Sequence, residues 1–190
     1  MKEVFVEDKT FNAIDFSKKT LEKGEYFSCI FKNCNFFESD LSNIIFEDCE
    51  FRDCNLSSVK VNNTSFQGAY LKDCKILAVL FSNINPFLNS FYFDNCNLNY
   101  SSFYKLKLIS SRFMNSQLEE VDFVEADLIS CNFSKSNLQL TKFENTKIDK
   151  ADFRTAINFA IDLELNSHQK TIFSKENLEG LLSKYNIIIE

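Results

Sequence analysis

Seven cysteines, one histidine and two runs of carboxylates are the side chains of this 190-residue chain best suited to chemistry. Cys29 with Cys34, and Cys49 with Cys54, have the look of ligand pairs for a soft metal. Zinc would lack nitrogen donors, because His168 is the only histidine. For the same reason no Ser-His-Asp or Cys-His arrangement can be assembled along the chain. The acidic runs are Glu47, Asp48, Glu50 and Asp53, then Glu119, Glu120, Asp122, Glu125 and Asp127. Carboxylates become acid-base catalysts where a cleft shifts their pKa values, and a solvated wall does not do that. Three glycines, one proline and no glycine-rich fingerprint leave nothing to cradle a phosphate. These side chains predict no enzyme, no metal and no cofactor.

What positions the cysteines is more informative than their chemistry. Each stands two residues before a member of a five-residue grid of apolar residues. The grid runs from Phe11 through Phe16, Leu21, Tyr26 and Phe31 to Phe81, slips by two residues, and resumes from Leu88 through Phe93 and Leu98 to Phe153. It holds 29 centres, none polar, and 15 of the 22 phenylalanines. A five-residue step scatters around a helix and alternates between the faces of a flat strand, so neither could bury every centre. A chain that turns a corner once per pentad can. The positions two before the centres, such as Cys29, Thr64, Ala69, Ser101 and Thr146, are predicted to point inward near those corners, which accounts for their small size and for all seven cysteines as buried, reduced thiols. The other positions are mainly Asp, Asn, Lys, Ser and Glu, as an outer wall requires.

The number of sides follows from the second half, where Phe alternates with Leu or Ile from Leu88 to Phe153. Three sides would stack Phe on Leu, and four stack Phe on Phe, which fills each layer evenly. Four sides give about seven coils, and at roughly 4.8 Å per layer a rod about 34 Å long.

Cys29-Ile-Phe31, Cys34-Asn-Phe36, Ala126-Asp-Leu128 and Ala151-Asp-Phe153 resemble the A(D/N)LXX motif of pentapeptide-repeat proteins over about residues 9 to 155. The resemblance implies an all-β fold, a right-handed quadrilateral parallel β-helix. Domain boundaries are expected at 1–155 for the coil, with a slip at 82–87, and at 156–190 for a C-terminal capping or dimerisation segment.

At the slip, Ser82-Asn-Ile84-Asn-Pro86-Phe87 must bulge, because proline donates no ladder hydrogen bond. Exposed Ile84, Pro86 and Phe87 are candidate partner contacts, beside the reading of a tolerated insertion. Ala156 to Thr171 is expected to be an irregular connection. Ser174 then caps a helix of about ten residues, with Leu178, Leu181, Leu182 and Tyr185 on one stripe, and Ile187 to Ile189 form a short strand. The stripe must pack on something, either the open coil end, a second copy, or both.

The resemblance is strongest to the Qnr, MfpA and microcin-immunity branch, whose members act on type II topoisomerases, DNA gyrase especially, by imitating duplex DNA with an acidic rod. It implies a cytoplasmic homodimer joined at the C-terminus that protects gyrase or topoisomerase IV from a quinolone or a peptide poison. The alternative is a scaffold binding another protein. In the DNA-mimic reading Glu47, Asp48, Glu50, Glu119, Glu120, Asp122 and Glu125 are the candidate contacts. A net charge of −6 disfavours direct nucleic-acid binding. No apolar run is long enough to span a membrane, and the charged first ten residues argue against secretion. Gram-negative Qnr proteins carry projecting loops important for protection, and this grid leaves room for only two inserted residues.

Overall fold

A corner every fifth residue produces a four-sided parallel coil. The structure, a computed structural model, describes residues 4–87, 89–185 and 187–188. One side stacks β1 (Val4–Glu7), β3 (Gly24–Phe27), β5 (Ile45–Glu47) and β7 (Ser65–Gln67) in that order. The next stacks β2 (Thr10–Asn12), β4 (Ile30–Lys32), β6 (Glu50–Arg52), β8 (Ala69–Lys72), β9 (Phe91–Asp94) and β10 (Arg112–Met114). The third and fourth sides are held by single parallel bridges such as Asn35 to Asn55 and Asp40 to Lys60. Ladder partners lie 20 residues apart, as in the pairs Tyr26 to Phe46 and Phe46 to Phe66. Across the slip the step is 22, from Leu71 to Phe93.

Phenylalanine does stack on phenylalanine. Phe11, Phe31 and Phe51 lie nearly parallel with centroids 4.7 and 4.9 Å apart, and Phe93, Phe113, Phe133 and Phe153 continue that side at 5.2, 5.2 and 4.7 Å. Rings on adjacent sides meet edge to face, as Phe113 and Phe123 do at 82°. Columns of this kind fill the axis with offset and T-shaped contacts, both favourable for the ring quadrupole.

The outer positions explain the rest of the motif. The residue before a centre often accepts the backbone N–H of the residue after it: Asn35 Oδ1 from Phe37 at 3.2 Å, Asp122 Oδ1 from Val124 at 2.9 Å, Asp152 Oδ1 from Arg154 at 3.0 Å. The second residue after a centre takes a positive φ, for example Asn33 at 52°, Asp53 at 52° and Glu120 at 54°. That is a left-handed corner, the conformation that Asn and Asp tolerate best among residues with a side chain. The residue two before a centre donates to a core carbonyl one coil below, as Thr64 Oγ1 does to Leu41 O at 2.8 Å and Ser136 Oγ to Phe113 O at 2.6 Å. All seven cysteines occupy such positions, buried and free. Cys49 Sγ donates to Tyr26 O at 3.2 Å, and burial pushes its thiol up to about 12.

The ladder extends beyond the pentad grid at both ends. Ahead of Phe11 stands β1, and past Phe153 the bridges Lys147 to Ser167 and Asp152 to Ile172 keep the 20-residue step. Ala156 to Thr171 is therefore not an irregular connection. It is a further coil, in which Phe159 and Ile161 are buried and Phe173 stacks on Phe153 at 5.4 Å. Hydrophobic centres are too sparse there for the grid to continue in sequence, yet the backbone ladder needs no side chain to propagate.

The C-terminal segment also differs from the expected helix. It forms two 3-10 turns, Lys175–Leu181 and Ser183–Tyr185, kinked at Asn177. Asn177 accepts the Ser174 N–H at 3.1 Å and donates to Phe153 O at 2.9 Å and Ala156 O at 3.2 Å, so it closes the last corners of the coil. Gly180 lies so close to Phe159 that a β-carbon there would collide with the ring. Closeness to the coil end, rather than helical propensity, sets this conformation. Ile187 and Ile188 are not in a strand, and Ile189 lies outside the described residues.

Candidate partner-binding surfaces

The coil distributes the two acidic runs over different walls. Glu47 and Asp48 end the first side, and Glu50 opens the second, where it pairs with Arg52. Arg52 stands between Lys32 and Lys72 in the ladder, so this wall carries a column of three cations. Glu119, Glu120, Asp122 and Glu125 lie on one later coil and wrap around it. Glu119 accepts from Asn99 Nδ2 at 3.2 Å on the third side, whereas Asp122 accepts from Ser102 Oγ at 3.3 Å on the fourth. Glu125, at the following corner, meets Lys105 at 3.4 Å and the Tyr104 hydroxyl at 3.1 Å. Asp127 pairs with Lys147 at 3.9 Å. The structure thus does not join the two runs into one stripe. Several of these carboxylates are engaged with their own fold, as turn acceptors or in exposed pairs that contribute little to stability. The signal for that role is the D/N of the motif itself, since adjacency in the chain is not adjacency on a wall.

One stretch of wall keeps its acids uncommitted. On the first side Glu7, Asp8, Glu25, Glu47 and Asp48 are all exposed, and none has an ion-pair partner among the described residues.

The slip forms a second candidate surface, with one correction. Ile84 is not exposed: it is 4% accessible, because it takes the inward slot one coil above Thr64 and ends a 3-10 turn over Phe81–Asn83. The two additional residues are accommodated after it, and Asn89 bridges the gap by accepting the Phe66 N–H at 3.0 Å and donating to Asn85 O. Pro86 is exposed and Phe87 stands 73% accessible. They border a groove of about 360 Å³ with Asn89, Lys105, Lys107 and Ile109.

The third surface is the C-terminal end. Leu181 packs toward the core, while Leu178, Leu182, Tyr185, Ile187 and Ile188 are exposed. Asp162, Leu163, Glu164 and Lys184 join the leucines around a hollow of about 320 Å³, and Lys184 clamps Asp162 at 2.7 Å and Glu164 at 3.0 Å. Those two carboxylates hold the Lys184 ammonium pKa above its ordinary value. Among the described residues no helix is long and apolar enough to cross a membrane, and no group of three or more His, Cys, Asp or Glu side chains is arranged to hold a metal.

Known proteins match this architecture closely in shape and weakly in sequence. A trypsin-treated form of QnrB1, a plasmid-mediated fluoroquinolone resistance protein, superposes with a TM-score of 0.77 at 18% identity, over 98% of this chain and 92% of that one. HetL, a pentapeptide-repeat protein involved in heterocyst differentiation regulation from the cyanobacterium Nostoc sp. strain PCC 7120, gives 0.57 at 13% identity, over 90% of this chain and 85% of its own. No curated protein sequence matches. The family models described as pentapeptide repeat region and pentapeptide repeats (8 copies) match residues 24–103 and 122–157, together more than half of the chain. With the five-residue grid, its turn acceptors and its four-sided ladder, these matches make the chain a member of the pentapeptide-repeat family.

Proposed function

We propose that this protein is a non-enzymatic rod that binds a type II topoisomerase, DNA gyrase above all, and protects it from a quinolone or a peptide poison. The observation that carries this reading is the superposition on QnrB1 across nearly the whole of both chains. The uncommitted acids of the first side supply the negative charge that such a partner's DNA-binding saddle would attract. Mechanistically, the rod competes for the saddle or remodels a trapped cleavage complex, and no bond is made or broken. The cytoplasm is its place of action, in keeping with seven free thiols. Supercoiling by purified gyrase, with and without a quinolone, tests it: inhibition or protection at micromolar protein is expected. Neither effect at that concentration would overturn the proposal.

Two copies join at the C-terminal ends in this reading, through Leu178, Leu182, Tyr185 and Ile187, which the coil leaves exposed. Leu182→Glu is expected to halve the sedimenting mass, and an unchanged mass refutes that junction.

A second reading is favoured by the cation column Lys32, Arg52 and Lys72 and by the pairs Lys105 to Glu125 and Lys147 to Asp127, which interrupt any imitation of phosphate. In it the coil is a scaffold for a different protein. The same assay separates them, since a scaffold leaves gyrase untouched.

A further inference from the structure

The topoisomerase reading uses only the acidic lower half of the first side, and the upper half completes a second arrangement. One column of the first side passes through nine levels: Phe5, Glu25, Ile45 and Ser65, then Asn85 at the slip, with exposed Phe87 projecting from the same level, then Lys107, Asp127, Lys147 and Ser167. Phe87 is at the middle, with four levels on either side. Below it the exposed charges are Glu7, Asp8, Glu25, Glu47 and Asp48, all negative. Above it stand Lys107, Lys147, Lys150 and Lys170, all exposed. The acids of that half are already engaged: Asp127 with Lys147 at 3.9 Å, a long pair that leaves the lysine side chain 61% accessible, and Asp149 with Ser167 Oγ and the Gln169 N–H, both at 2.7 Å. The wall is therefore charged oppositely at its two ends, with an exposed aromatic ring at its centre.

A surface whose charge changes sign about its midpoint is complementary to itself when one copy is turned end over end. Turning about an axis that lies in the wall and crosses the rod at Phe87 keeps each column facing the same column and reverses the order of levels. Glu25 then faces Lys147, Asp8 faces Lys170, and the two Phe87 side chains meet at the axis. Each ring has somewhere to go. The groove of about 360 Å³ bordered by Pro86, Asn89, Lys105, Lys107 and Ile109 lies beside each Phe87 and can receive the ring of the other copy. An exposed aromatic anchor entering a groove, surrounded by complementary charge, is the usual anatomy of a binding hot spot. We propose that the first side is a docking surface for a second copy of this chain, side by side and antiparallel, centred on Phe87. This contact is separate from an end-to-end junction at Leu182, needs no topoisomerase to form, and would cover the acids that a topoisomerase would meet.

Disulfide trapping tests it, because Phe87→Cys places one exposed thiol at the axis while the seven native thiols are buried. Under mild oxidation the full chain carrying Phe87→Cys is expected to form a covalent dimer through position 87. Adding Asp8→Lys and Glu25→Lys, or instead Lys147→Glu and Lys170→Glu, should each abolish the cross-link, since like charges then meet. Mixing the two charge-reversed proteins should restore it as a heterodimer alone. All four substitutions are at exposed positions, and far-UV circular dichroism confirms that each variant keeps the coil. Absence of a cross-link in the parent Phe87→Cys protein, or a cross-link indifferent to charge reversal, would overturn the proposal.

Discussion

The two halves of the coil look alike in sequence and close their corners differently. From Leu98 onward most corners carry a backbone turn bond from the third residue after a centre back to the centre, as Ser101 N to Leu98 O at 3.1 Å and Cys131 N to Leu128 O at 3.0 Å. In the first half, corners leaving the first and second sides do not make this bond. Cys29, Cys34, Cys49, Cys54 and Cys74 stand at those open corners, and Cys96 at one beyond the slip. There a side chain from the next coil takes the place of the turn bond. Cys54 Sγ lies against the Cys34 N–H and Cys49 Sγ against the Cys29 N–H, in the way that Ser116 Oγ accepts from Cys96 N at 3.1 Å. The same atom donates downward, Cys54 Sγ to Phe31 O at 3.3 Å. An open corner lets the strands of two sides lengthen, and the cost is dependence on one particular side chain. A closed corner satisfies its own backbone and leaves that position freer.

This contrast can be broken most forcefully in the core, where it predicts no difference. Phe51→Ala and Phe123→Ala each remove a fully buried, stacked ring, so each is expected to lower stability by about 3 to 5 kcal/mol in urea unfolding. Losses that differ clearly between the halves would mean that packing, not corner closure, distinguishes them. The corners themselves come next. Cys54→Ala removes the sulfur that stands against the Cys34 N–H, whereas Cys131→Ala leaves Leu108 O still accepting the Ser111 N–H at 2.9 Å, so the first should cost about 1 to 2 kcal/mol more, and Cys54→Ser should recover most of it. Equal costs for the two alanine variants would remove the distinction.

The smallest effect near neutral pH is from titration, which acts only under alkaline conditions. Burial raises Cys49 from 9.0 to about 12, and burial with the nearby Glu22 carboxylate raises Tyr26 from 10.0 to about 12. Unfolding would let both ionise earlier, so the folded state loses stability as pH climbs from about 9 to about 12 and is unaffected by these groups below that window. Cys49→Ser should flatten the decline seen in melting temperature. A decline identical to the parent's would show that the thiol is not responsible.

Much of this is legible in the residues. Phe11, Phe31 and Phe51 announce a 20-residue stack because rings of one size fill one layer, and the cysteines two before the centres announce a buried, narrow slot. The coil past Phe153 is not legible, since Ser167 and Ile172 join the ladder through backbone atoms that any sequence provides. Ile84 escapes a reading from sequence because an insertion can be absorbed before or after an inward slot, and only the closed ring of contacts around Thr64 selects the latter. The acidic surface is the least legible of all. Glu119 and Asp122 are three apart in the chain and on different walls, while Glu7, Glu25 and Glu47 are far apart in the chain and share one.

Sequence alone determined the period, the four sides and the identity of the inward positions, because burial of apolar side chains depends on local spacing repeated many times. The tertiary structure decided which corners close through backbone and which through cysteine, where the coil ends, and which charges share a wall. Those properties depend on the stacking of one coil on the next, which brings together residues 20 or 22 positions apart and lets a single two-residue slip shift everything above it.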